Sequence, residues 1–370
     1  MRILKYIILA LFILNLPGIG LVALGSTVGS VLSYLSFILL GVFYLFFYKS
    51  KPNLYLLIIG LSYFLISGLQ LYYSLTEQEY FIMLIKFVIL ILFGSSFFSS
   101  ISYKELTWFV LIGAISILAN AIFLKDDYGR YAGFYLNPNA AGFVCITGYS
   151  LCFALKEKKL KLIFQVLFTV SGLLTFSRTF ILAWVLINLL SLRIDIKNIK
   201  VFFVGISLAI FALTFGELLN LNGLRFKQYQ AVFESNKSAS ALQEGSRTET
   251  WAIFYDEIYE SLVIGNGFGK FQGGGAHGLG THNTYLLIIG EAGVIPFMLF
   301  ILFIFFLLIK SNKLFKQNPS LLLLSISLSL YLLTSHNYFD SYFKLCITMF
   351  IYQKLVAKNN VDAKAIERLS

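Results

Sequence analysis

The sequence predicts an all-α integral membrane protein of about twelve transmembrane helices with one large outer loop, and three observations carry that prediction. Of its 370 residues, 58% are hydrophobic and only 13% charged, against roughly 25% charged in a soluble globular domain. Apolar runs near twenty residues recur from one end to the other, each about the length that spans a bilayer as a helix. Basic residues gather in short stretches between those runs. Backbone groups in lipid must bond internally, so the runs are helices or closed-barrel strands, and the short alternating segments of a barrel are missing.

In chain order the spans fall at about 5–24, 27–48, 54–73, 80–99, 107–124, 138–155, 162–177, 179–192, 201–219, 282–309, 321–335 and 341–356. The first opens on MRILK and carries "ALG" near Ala23, which imitates a signal peptide. With further spans following at once, it reads as an uncleaved helix. The short spans either side of Ser177 and Arg178 also admit a re-entrant hairpin. The stretches "KSKP", "KEKKLK", "RIDIKNIK" and "KSNKLFK" fall on the side of the N-terminus, and "LTEQEY" and "KDDYGR" on the other. By the positive-inside rule both termini are cytoplasmic. The net charge of +11 is then a topology signal rather than a nucleic-acid surface. Cys145, Cys152 and Cys346 all lie in apolar spans, with neither disulfide nor metal spacing.

The whole chain, 1–370, reads as one polytopic membrane domain, interrupted by an outer, periplasmic loop at 220–281 between spans nine and ten. A connection of that length is unusual and points to function. Within it Ser246 and Glu249 have capping-box spacing, and Trp251, Phe254, Ile258 and Leu262 recur at helical period. An amphipathic helix over 247–262 is expected. The following "GNGFGKFQGGGAHGLG" has eight glycines from Gly265 to Gly280 and is tightly turned or flexible. It precedes no helix after a βαβ strand, so it is not a nucleotide fingerprint.

With that orientation, Arg130, Arg178, Arg225, Arg247, His277, His282 and His336 fall on the outer face, where the positive-inside bias depletes arginine. Arg178 stands almost flush with the membrane, which is either a functional position or a snorkelling structural one. Arginine's planar fork suits phosphate, and Arg247 would sit in the first turn of a capped helix on the same face as Trp251. These residues suit a lipid-linked phosphate or pyrophosphate, with a plain lipid headgroup as the alternative. His282 begins the run after "GT". A neutral imidazole there is a candidate general base, otherwise a hydrogen-bonded structural residue, with His277 and His336 as weaker substitutes.

On a straight helix Glu291 is nine residues and roughly 13 Å along from His282, on the opposite face. It is expected to bond a neighbouring helix or to mark a break near "GEAG" and Pro296. In "YLNPNAAGF" Asn137 before Pro138 is helix-start chemistry, with Asn139 and Arg130 as candidate ligand contacts. Lys86 and Lys344 lie within spans without an assigned role. A transporter remains a competitor on architecture, although its charges would gather at the midplane.

The motifs "NPN" (137–139), "FSRT" (176–179), "SRTETW" (246–251), "GNGFG" (265–269), "HNTYL" (282–286) and "EAGV" (291–294), taken in order with the late outer loop, resemble the bacterial O-antigen polymerase and O-antigen ligase superfamily. The resemblance implies a metal- and cofactor-independent glycosyltransferase in the bacterial inner membrane, fed by undecaprenyl-pyrophosphate-linked glycan. It implies His282 as the catalytic base and Arg178, Arg247 and, less directly, Arg225 on the pyrophosphate. Arg130, Asn139, Asn283 and Trp251 are further candidate substrate contacts. The acceptor is a second lipid-linked repeat unit in a polymerase, the preferred reading, or lipid A core in a ligase. Membrane lipids and a chain-length regulator are the other partners implied.

Overall fold

The computed structural model describes residues 2–47, 50–71, 77–124, 130–215, 247–273, 277–335 and 338–367. Each predicted apolar run is mainly helix over its described residues. The elements are α1 (Arg2–Ile13), α2 (Leu16–Leu24), α3 (Ser26–Phe46), α4 (Leu54–Ser67), α5 (Glu77–Ser100), α6 (Tyr103–Phe123), α7 (Pro138–Leu151), α8 (Lys158–Leu174), α9 (Arg178–Ser191) and α10 (Ile199–Phe215). After the undescribed segment come α11 (Arg247–Ala252), α12 (Tyr255–Glu260), α13 (Thr284–Ala292), α14 (Val294–Lys313), α15 (Pro319–Leu332) and α16 (Tyr342–Glu367). Four of these, α3, α5, α6 and α14, are long and apolar enough to cross a membrane, and α1 with α2 makes a bent fifth. The protein is a multi-pass helical membrane protein, with no strand beyond an isolated bridge of Leu71 to Phe268 among the described residues.

Helix starts follow the chemistry of the sequence. Ser102 and Glu105 form a reciprocal capping box on α6, and Asn53 accepts from Leu56 N–H to cap α4. Pro138 and Pro319 open α7 and α15, where a missing N–H costs nothing. The core is one continuous cluster of buried aliphatic and aromatic side chains. α7 is its axis: every residue from Ala141 to Leu151 is buried, between α6, α8, α9 and α15.

Three predicted segments differ. The run 5–24 is not one span but two helices bent by 64°, because Asn15 takes a left-handed conformation (φ 53°). The run 282–309 breaks at Gly293 (φ 77°) into α13 and α14. A Cβ at Gly293 would lie 2.1 Å from the Val263 carbonyl oxygen, so neither the angle nor the space admits another residue. The helix expected over 247–262 is two short helices. Between them the chain tightens to a Phe254 N–H bond to the Trp251 carbonyl, 3.1 Å, which turns Phe254 fully inward against Phe271. Ser246 of the proposed capping box lies outside the described residues, as do the rest of 220–246 and residues 274–276 of the loop.

The glycine-rich "GNGFG" is structural. Phe268 N–H bonds the carbonyls of Ser67 and Gln70 at 2.9 and 3.0 Å, and the Phe268 ring packs among Tyr63, Phe64 and Tyr80. Asn266 and Gly267 N–H groups bond the carbonyls of Gly290 and Glu291. Glu291 is fully buried and acts as the clasp. Its carboxylate accepts from Gly269 N–H (3.0 Å), Phe271 N–H (3.1 Å), Tyr63 Oη (2.5 Å) and Gln272 Nε2 (3.2 Å). Both expectations for Glu291 hold: it bonds a neighbouring helix, α4, and it stands two residues before the break.

Candidate functional site

Four non-glycine residues among those described have positive φ: Asn15 (53°), Leu136 (58°), Phe176 (47°) and His282 (46°). Such backbone costs on the order of 1–3 kcal/mol each and persists where the surroundings impose it. All four stand at helix starts. Three are followed by a capping residue: Asn137 accepts from the N–H groups of Asn139 and Ala140, Ser177 from Phe180, and Asn283 from Tyr285 and Leu286. Left-handed residue, cap, helix is thus the local form of "LNPN", "FSRT" and "HNTY".

These starts converge. Ser177 Oγ donates to Asn139 Oδ1 at 3.2 Å, joining the N-termini of α9 and α7. Arg130 Nη2 donates to the same oxygen at 3.1 Å, and its Nε to the Thr175 carbonyl at 3.2 Å. Arg178 is the next residue after Ser177 and is exposed. Asn137 and Asn139 line a cavity of about 610 Å³, and His282, exposed into it, lines the same cavity. The positive ends of helix dipoles and unpaired first-turn N–H groups make such a meeting favourable for an anion.

The other candidates are placed as follows. Asn283 is buried, and its oxygen is engaged in capping α13 at 2.9 and 3.3 Å. Trp251 is half-buried in α11 and does not line the cavity. Arg225 and His336 lie outside the described residues. So does the side chain of Arg247, whose backbone begins the six-residue α11. His277 pairs with Glu257 at 2.5 Å, and Lys270 holds the other oxygen of that carboxylate at 2.8 Å. Partial burial pushes the Glu257 carboxyl up, but the bonds from Lys270 and His277 outweigh it and hold it below the usual range.

Sequence reading missed one wall of the cavity. Lys86 of α5, Lys344 of α16 and Asp340 all line it, with Tyr34 and Ser335. Lys86 Nζ bonds Ser33 Oγ at 2.9 Å and lies 4.9 Å from the Tyr34 ring centre. Lys344 is buried and bonds Ser335 Oγ. The signal was visible as ionisable residues inside apolar runs. What was not visible was that two helices far apart in sequence bring them to His282. No group of three or more His, Cys, Asp and Glu side chains that could hold a metal occurs among the described residues.

A family model described as O-antigen ligase matches residues 163–301, from within α8 to within α14. That stretch contains the "FSRT", "SRTETW", "GNGFG" and "HNTYL" motifs and leaves "NPN" just outside it. No curated protein matches the chain. This match supports membership of the O-antigen ligase and polymerase superfamily of multi-pass membrane proteins, and two of the motifs, "NPN" and "HNTYL", meet at one cavity.

Proposed function

We propose that the protein is a glycosyltransferase of the bacterial inner membrane. It takes undecaprenyl-pyrophosphate-linked glycan as donor and polymerises O-antigen- or capsule-type repeat units at the periplasmic face. One observation carries this reading: His282 shares a cavity with Asn139, and Asn139 is the joint between Arg130 and the Ser177–Arg178 helix start. The candidate base therefore shares a cavity with one member of the corner, Asn139, which Arg130 and Ser177 hold by hydrogen bonds.

The chemistry follows. His282 accepts the proton of the acceptor hydroxyl, whose oxygen bonds the anomeric carbon of the donor glycan. The bond from that carbon to the pyrophosphate oxygen breaks, and its electron pair leaves with the pyrophosphate. Arg178 and Arg130, joined by Arg247 and Arg225 from the loop, neutralise the leaving group. No metal or cofactor is required, because guanidinium groups and helix N-termini supply the positive charge. On this reading the chain crosses twelve times with both termini in the cytoplasm, and the chemistry falls on the face where the lipid-linked donor presents its glycan.

A ligase that delivers the glycan to lipid A core is the second reading, favoured by the description of the matched family. The test uses purified protein in nanodiscs with a lipid-pyrophosphate-linked repeat, with and without lipid A core. A ladder built on the carrier lipid alone is the expected result. Product only with lipid A core would make the protein a ligase. No product in either case, with His282→Ala harmless in cells, would remove the transferase reading.

A further inference from the structure

Between α12 and the glycine-rich turn the chain presents an apolar run. Tyr259 is 74% exposed, Val263 66% and Ile264 63%, and Leu262 is exposed between them. A contiguous apolar patch of this kind marks a contact surface. The backbone fixes where it stands. Val294 N–H bonds the Leu262 carbonyl at 2.9 Å, and a Cβ at Gly293 would lie 2.1 Å from the Val263 carbonyl oxygen. The run therefore lies against the first residue of α14. That helix has 20 residues and is long and apolar enough to cross a membrane. Its length of roughly 30 Å matches the hydrocarbon layer, so Val294 stands at one hydrocarbon boundary. Lys310 and Lys313 lie in the last turn of α14, which assigns the boundary at Val294 to the outer side by the positive-inside rule.

What covers the run follows from its neighbour. Ile295, Met298, Leu302, Phe305 and Ile309 are the large exposed side chains of α14. They recur three and four residues apart, which makes one stripe along the helix, and in a spanning helix that stripe faces lipid. Leu262–Ile264 adjoin its outer end. α12 is sorted in the same sense. Phe254 and Ile258 are buried, Tyr255 and Tyr259 are exposed one turn apart, and Asp256 and Glu260 are exposed beside them. Tyrosine favours the headgroup level, and carboxylates stay in water. We propose that residues 259–264 are a wedge seated in the bilayer: Leu262, Val263 and Ile264 rest in the acyl chains of the outer leaflet, continuous with the stripe of α14, and Tyr259 lies at the headgroups. The inference goes beyond the transferase reading and does not depend on it. Its consequence is one of height. The wedge leads through Gly265 into the turn clasped by Glu291, and in that turn the Phe271 carbonyl accepts from Thr281 N–H at 3.1 Å, one residue before His282. The membrane surface thus sets the level of the turn that ends beside His282.

Spin labelling of the full chain in phosphatidylcholine nanodiscs tests the wedge. These discs carry no net lipid charge, so burial of apolar surface alone must hold the segment. The native cysteines are buried, and a nitroxide is attached in turn at Val263→Cys and Ile264→Cys. Both positions are exposed, so the label meets no packed neighbour. Leu302→Cys, in the stripe of α14, is the lipid reference, and Lys159→Cys, exposed in a basic stretch, is the water reference. Collision with oxygen reports lipid, and collision with a water-soluble nickel chelate reports solvent. The oxygen-to-nickel ratio at 263 and 264 is expected to match that at Leu302→Cys and to exceed that at Lys159→Cys several-fold. Glu260→Cys should read as water. A ratio at 263 and 264 equal to that at Lys159→Cys would put the run in solvent and overturn the wedge. Low collision with both reagents would also overturn it, by showing that protein covers the run, either a second copy of the chain or another of its own segments.

Discussion

At His282 two properties are joined that substitution can separate: an imidazole exposed in the cavity and a left-handed backbone at φ 46°. Glycine tolerates that backbone and alanine does not, so His282→Gly and His282→Ala differ in strain and share the loss of the ring. If the ring is the base, both should lose about a hundredfold or more of transfer rate, measured as product per minute on protein that inserts normally. Activity retained by His282→Gly alone would make the residue's role conformational. Glu291 should behave in the opposite way. Glu291→Ala orphans two buried N–H groups and the Tyr63 hydroxyl, a loss on the order of 3 kcal/mol or more. It should appear as lower thermal stability by size-exclusion fluorescence, with near-normal activity per folded molecule. A transporter using Glu291 would show lost transport without lost stability.

At the scale of elements, the loop is tied to the bundle by backbone contacts that only glycine allows. A Cβ at Gly267 would lie 2.0 Å from the Gln70 carbonyl oxygen, at φ 93°, whereas one at Gly273 would meet nothing within 4 Å. Gly267→Ala and Gly293→Ala should therefore lower the melting temperature sharply, and Gly273→Ala should be silent in the same assay. The second tie, α12 to the glycine-rich turn, runs through Glu257. Because its carboxyl is held below the usual range, its contribution is complete above the unfolded carboxylate value of about 4.3 and is lost as pH falls through the lower folded value. Amide-exchange protection of residues 266–272, corrected for the intrinsic pH dependence, should step down below about pH 4 and show no such step in Glu257→Gln. The helices outside the loop were legible: apolar runs marked them, and Asn137–Pro138 announced the start of α7. The breaks were less so. Asn15 turns left-handed in a run whose apolar character never lapses, and Phe254 interrupts a helical period because its ring is drawn to Phe271, a contact across the turn that spacing cannot express. His282, Arg130, Arg178 and Asn139 could be chosen from charge and position, but Lys86, Lys344 and Asp340 could not be assigned. Only packing brings α5 and α16 to the same cavity.

For the molecule as a whole, orientation in the membrane decides which solution reaches His282. By the positive-inside rule the basic stretches 49–52, 156–161, 193–200 and 310–316 are expected on the cytoplasmic side and the loop that carries Gly278 on the other. Cys145, Cys152 and Cys346 are all buried, so the wild-type chain should give little background with a membrane-impermeant maleimide and needs no cysteine-free background. Gly278 has a positive φ and open space around its Cβ position. Cysteine there is strained but sterically accepted. Lys159 on α8 is exposed. In spheroplasts Gly278→Cys should label at once, and Lys159→Cys only after the membrane is permeabilised. The reverse pattern would turn the cavity toward the cytoplasm, where the polymerising face of a lipid-linked glycan is not presented. The positive-inside assignment and the transferase reading would then fail together. Labelling of both from outside would instead show that α8, α9 and α10 make an even number of crossings between them, so that one of the three does not cross. That outcome would move Lys159 to the outer face and leave His282 where the proposed reaction needs it.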